Sequence, residues 1–210
     1  MATSYADFQT YVLRTLWRVG DADLTSDLPR LIREAEARMS RDLRIEDNTT
    51  IFEHTFESNE VALPADYQEI RSVDFEPWGT AAYITPQQYA KKLVDNRDNI
   101  QPPPFYTVMT KRLLLLGNIG VDSSVDVSVL YYTKLPPFED NTDLNQFYED
   151  YPDMYLAAVL QRTYVYMRDT EKAGIFEQQY ANLAQSVMDN EGSRKYAGAP
   201  IHMGLPGIVA

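Results

Sequence analysis

The sequence predicts an α+β fold, mainly helical, in which the N- and C-terminal segments form a helical bundle with an inserted antiparallel β region and the chain ends in an extended arm. Three observations lead there. Apolar residues recur at helical spacing in residues 1–46 and again in 142–192. Between them, residues 47–138 hold short runs rich in β-branched and aromatic residues, punctuated by prolines and glycines. The order helices, strands, helices makes the β segments an insertion into a bundle built from the two ends. The core is therefore expected to span 1–192 and the arm 193–210.

The first helix opens at Ser4, with Asp7 three residues on as a capping-box partner, and carries Phe8, Val12 and Leu16 on one face until Gly20 ends it. A second helix is expected after Asp27 and Pro29, with Leu28, Leu31, Ile32, Ala35 and Met39 on its stripe, running to about Leu43. Residues 49–56 and 61–63 read as strands, residues 64–70 as a single helical turn, and residues 71–75 and 80–84 as extended. Thr85, Pro86 and Gln88 supply an N-cap, a first-turn proline and a capping-box partner for a short helix to about Val94.

Beyond the stiff run 101–104, residues 105–109, 112–116 and 125–132 are expected as three antiparallel strands, with residues 117–120 as a turn. Val125, Val127 and Val129 share one face of the last strand, while Asp126 and Ser128 take the other. Pro152 opens the most apolar helix, which between Met154 and Leu160 has no polar group except a tyrosine hydroxyl and must be enclosed on most sides. A further helix after Thr170 presents Phe176, Tyr180, Leu183 and Val187 on one stripe.

Residues 196–210 contain no Asp, Glu, Lys or Arg, yet hold Ile201, Met203, Leu205, Ile208 and Val209. Gly198, Gly204 and Gly207 raise the entropy cost of ordering this strip, and Pro200 and Pro206 keep it out of helix interiors and central strands. It reads as a docking peptide. The alternative is a frayed end, but disordered tails normally carry charge and few aliphatics.

Composition narrows the function. The 210 residues include no cysteine, which removes disulfides, thiolate nucleophiles and thiolate metal sites together. Nothing approaches the roughly 20 apolar residues of a membrane span, and the start lacks the pattern of a secretory signal, so no membrane partner is expected. Thirty-one acidic against nineteen basic residues give a formal charge of −12, which argues against a surface that grips phosphates but suits one that DNA passes without sticking. The fifteen tyrosines suit subunit interfaces, where an apolar ring and a hydroxyl both find use.

No phosphate loop, dinucleotide fingerprint, nucleophile elbow or His-Glu-x-x-His helix is present, and neither a cofactor nor a catalytic set is expected. His54 and His202 are too far apart in sequence for a paired metal ligand, and each is expected at an edge or in solvent. The clusters Asp21/Asp23/Asp27 and Glu139/Asp140/Asp143 lack the glycine and terminal glutamate of a calcium loop, so no metal site is assigned. A carboxylate pair for glycan cleavage is defined by spatial separation, and no pair is selected by sequence. Arg14, Arg18, Arg30, Arg33, Arg38, Arg41 and Arg44 crowd the first hairpin, either as a self-compensated face among glutamates or as an acid-binding patch.

Leu63-Pro64-Ala65-Asp66-Tyr67-Gln68-Glu69-Ile70-Arg71-Ser72-Val73, then Tyr83-Ile84-Thr85-Pro86, then Val129-Leu130-Tyr131-Tyr132-Thr133-Lys134-Leu135-Pro136, then Tyr151-Pro152-Asp153-Met154-Tyr155-Leu156 follow in order along the chain. This succession resembles head-to-tail adaptor, or connector, proteins of tailed and especially short-tailed bacteriophages. The resemblance implies a structural virion protein at the head-tail junction, made in the bacterial host cytoplasm. It implies a ring, commonly of twelve copies, between the portal protein and the tail nozzle or tube, around a channel for double-stranded DNA.

It also implies a C-terminal arm reaching along the portal, here Tyr196, Pro200, Ile201, His202, Met203, Leu205, Pro206, Ile208 and Val209. Pro103, Pro104, Phe105, Asn118 and Ile119 are the candidates for tail-facing loops. Two other functions compete: a tail-completion or neck protein that caps a tube, and a carboxylate-based hydrolase of cell-wall glycan. A cleft holding two carboxyl groups at catalytic separation would favour the hydrolase.

Overall fold

The computed structural model describes residues 4–56, 58–76, 79–95, 105–116, 125–138 and 146–196. The fold is α+β, with N- and C-terminal helices flanking a β region, as the residue pattern predicts. The chain divides into two compact units, Met1–Ile45 with Pro136–Ala210, and Glu46–Leu135.

In the helical unit, α1 (Tyr5–Thr15) starts where the Ser4 hydroxyl accepts the Asp7 N–H at 3.2 Å, and it buries Phe8 and Val12. It closes in a Schellman motif. The Trp17 N–H bonds the Arg14 carbonyl and the Arg18 N–H bonds the Leu13 carbonyl. That geometry puts Trp17 at φ 56°, a left-handed position normally given to glycine and costing a side chain about 1 kcal/mol.

Helix α2 (Ala22–Asp42) begins earlier than the sequence suggests, because Asp21 and not Asp27 is its N-cap, accepting the Leu24 N–H at 3.1 Å. Pro29 therefore lies inside the helix and not in its first turn. An interior proline costs about 3 kcal/mol. The added turns bury Leu24 and Leu28 almost completely, each worth about 2 kcal/mol, so burial offsets the proline.

The short α4 (Gln146–Asp150), which the periodicity does not reveal, precedes α5 (Pro152–Tyr166) with its proline in the first turn. Met154, Tyr155 and the run from Ala157 through Leu160 are buried, so α5 is enclosed as its composition requires, packing on α2 and α6. Helix α6 (Thr170–Tyr196) buries Ala173, Tyr180 and Ala184. It continues through Tyr196, past the position 193 where the extended arm was expected to begin.

Among the described residues, the β unit holds two four-stranded sheets. The first runs β1 (Thr49–Phe56), β8 (Val125–Thr133), β3 (Tyr67–Phe75), β4 (Gly79–Thr80) in that spatial order, all antiparallel. The second runs β2 (Glu60–Ala62), β7 (Arg112–Leu116), β6 (Phe105–Met109), β5 (Ala82–Tyr83), with β5 parallel to β6 and the other pairs antiparallel. One apolar cluster draws Phe56, Val73, Val127 and Val129 from the first sheet and Tyr106, Leu113 and Leu115 from the second.

Two sequence expectations change here. Strand β8 does not join β6 and β7; its nine residues are close in length to β1, with eight, and β3, with nine, whereas β6 and β7 have five each. Residues 64–70 do not form a helical turn. The Tyr67 N–H closes a tight turn onto the Pro64 carbonyl, and the chain extends at once, placing Tyr67 and Ile70 against the core. The capping box at Thr85 and Gln88 is formed reciprocally, at 3.0 and 3.3 Å, and opens α3 (Pro86–Asp95).

Candidate interface surfaces

The helix that precedes residues 197–210, α6, is held at its start and middle. Asp169 accepts the Lys172 N–H at 3.1 Å at the start of α6 and pairs with the Lys172 ammonium at 3.2 Å, which holds its carboxyl below the usual range. Farther along, the Arg38 guanidinium of α2 makes a fork to both Glu177 oxygens at 2.6 and 2.5 Å and lies 4.3 Å over the Tyr180 ring. The Tyr180 hydroxyl donates to Asp42 at 3.0 Å, and Arg38 Nε reaches the same carboxylate at 3.3 Å. Arg38 holds the Glu177 carboxyl down, and Glu177 holds the guanidinium's proton more tightly. The middle of α6 is thus clamped to α2 through Glu177 and Tyr180.

A buried carboxylate fixes the other side of the bundle. Glu36 is 5 % exposed and accepts from the Phe138 N–H at 3.1 Å and from the Tyr155 hydroxyl. Tyr5, Phe8, Phe138, Tyr148 and Tyr155 stack and edge together around it. Burial raises the Glu36 carboxyl above its ordinary value, against the lowering effect of the two hydrogen bonds. Burial also raises the Tyr155 phenol, and the neighbouring carboxylate adds to the shift. The tyrosine therefore keeps its proton and serves as the donor.

The arm proper, from Pro200 through Val209, lies outside the described residues, as do Pro103, Pro104, Asn118, Ile119 and the cluster Glu139/Asp140/Asp143. Tyr196 is the last residue of α6. Phe105 is not a loop tip: it opens β6, half-buried, opposite Leu116, with the Lys92 ammonium 4.6 Å over its ring. His54 lies exposed on the edge strand β1, its ring stacked 5.7 Å from Phe52. His202 is outside the described residues.

The acidic and basic groups sort by partner. Asp21 caps α2, and Asp27 accepts from the Tyr166 hydroxyl at 2.7 Å. Arg30 pairs with Glu34 at 2.7 Å, and Arg44 donates to main-chain carbonyls at the end of α2. Arg33 and Arg41 are exposed and form no ion pair among the described residues. The first hairpin is thus compensated in part, with a basic line left over.

In the β unit, Glu53, Asp74, Glu76 and Asp126 line an open recess of about 630 Å3 on the outer face of the first sheet. Asp126 accepts from the Thr55 hydroxyl at 2.6 Å and Asp74 from Ser72 at 3.2 Å, so hydroxyl donors occupy two of the four carboxylates. No group of three or more His, Cys, Asp or Glu among the described residues is placed to hold a metal ion.

Three features are not legible in the residue pattern: the Glu36–Tyr155 pair, the Arg38–Glu177 fork and the exposed Trp17. For the first two, the only sequence signal is a charged residue on an otherwise apolar stripe. For the third, it is a tryptophan standing where a helix ends.

Residues 3–204 match the family model described as SU10 adaptor protein. No curated protein matches the chain.

Proposed function

The chain belongs to the SU10 adaptor family of bacteriophage head-to-tail adaptors, and on that premise we propose that it forms a dodecameric ring between the portal protein and the tail nozzle or tube, and that its C-terminal arm docks on the portal. The observation that carries this reading is the junction at Tyr196. A helix clamped to its bundle by Arg38, Asp42 and Tyr180 leads directly into a strip without formal charge. Such a strip gains order from a partner's apolar surface, so binding and ordering are coupled, and free subunits stay unassembled until a portal is present.

Within the ring the acidic subunits surround double-stranded DNA and repel its phosphates, which lowers friction as DNA is packaged and ejected. The tail-facing loops are those carrying Pro103, Pro104, Asn118 and Ile119, beside Phe105. The test is a chain ending at Tyr196, compared with the full chain for thermal stability and for binding to purified portal particles. Unchanged melting with loss of binding is expected; binding with unchanged affinity would refute the role of the arm.

A further inference from the structure

Trp17 is the most exposed large apolar side chain among the described residues, at 92 %, and Val19 beside it is 70 % exposed. The turn that carries them joins α1 to α2, and its main chain is fixed by the Schellman bonds from Trp17 and Arg18. The left-handed φ of Trp17 is a position where glycine would be better and where the indole gains nothing from its own fold. A large aromatic held outward on a rigid turn has the form of an interface anchor. Next to it, Asp21 and Asp23 line a small recess with Arg18, Leu24 and Tyr166; Arg18 pairs with Asp21 at 4.0 Å, which leaves Asp23 as the acid of the knob.

The complementary surface is on the same chain. Arg33, Ala37 and Arg41 follow one another at four-residue intervals along α2, all three exposed, and neither arginine is ion-paired among the described residues. Ala37 leaves only a methyl group between two guanidiniums. An indole laid on that methyl has a cation on each side, and an aspartate arriving with it meets a guanidinium directly. The helical rise separates Asp21 from Ala37 by roughly 24 Å along the axis, so knob and seat are different surfaces and a contact between them is heterologous.

We propose that the knob of Trp17, Val19 and Asp23 on one copy seats on the Arg33–Ala37–Arg41 line of the next copy, and that this contact closes the ring. It rests on the ring reading above and adds which surfaces meet. A heterologous contact repeated from copy to copy is what a ring requires, and acidic knob against basic seat sets its direction.

The natural absence of cysteine permits a direct test. The full chain carrying both Val19→Cys and Ala37→Cys, with Trp17 kept, is bound to portal particles, oxidised and run under denaturing conditions. A ladder of covalent multimers is expected, with none from either single variant. No ladder from particles on which the unmodified chain forms ring density overturns the contact and leaves the ring standing. Dimers from Val19→Cys alone overturn it in favour of a two-fold contact, and no ring density with the unmodified chain overturns the ring reading itself.

Trp17→Gly supplies the second readout, because it relieves the backbone at no cost in burial. A melting temperature equal to or above that of the parent, with at least a tenfold loss of ring occupancy, is expected. A lowered melting temperature with ring occupancy intact shows that the indole serves its own fold and sinks the proposal.

Discussion

At the residue scale, Glu36 sets the most testable energy term. A carboxyl whose folded pKa lies above its unfolded value binds its proton more tightly in the native state. Its contribution to stability is then full below the ordinary glutamate value of about 4.3, and declines as pH rises from there through the raised folded value. Glu36→Gln keeps an oxygen for the Phe138 N–H and the Tyr155 hydroxyl but has no proton to lose. Urea unfolding of both chains between pH 4 and pH 8 is expected to show the parent losing stability relative to the variant as pH rises. Parallel curves across that range would mean that Glu36 titrates as it does in water. The sequence shows Glu36 among Ile32, Ala35 and Met39 but cannot show that Tyr155, distant in the chain, comes to meet it.

At the element scale, local chemistry decided most starts, and burial decided where it overruled. Ser4, Thr85 with Gln88, and Pro152 all open helices as their side chains or ring geometry dictate, which is why those boundaries could be read. Asp21 and Asp27 are equally good caps by composition. The choice between them depends on Leu24, one turn before the expected stripe, finding a core, which is tertiary information. Asp21→Ala is therefore expected to cost about 1 kcal/mol by removing the acceptor for the Leu24 N–H, measured by chemical denaturation. A change near zero would place the helix start elsewhere. The same limit explains β8: its alternation was legible in Val125, Val127 and Val129, but strand partners follow from matched length and burial across the sheet, not from neighbours in sequence.

At the scale of the whole molecule, the adaptor assignment was visible in the order of short segments, and the charge-free C-terminal strip was visible in composition alone. Docking surfaces were less legible. The exposure of Trp17 follows from the turn that holds it, which no local pattern announces, and the two readings of Arg33 and Arg41 separate only when Glu34 is seen to pair with Arg30. In the proposed function the uncharged C-terminal strip lies along the portal protein and so couples portal to tail. Cryo-electron microscopy of portal particles mixed with the full chain tests it most directly. A ring of added density at the tail vertex is expected, with residues 197–210 of each copy lying on the portal. A vertex without that ring, or a ring whose strips fold back onto their own subunits, would contradict it.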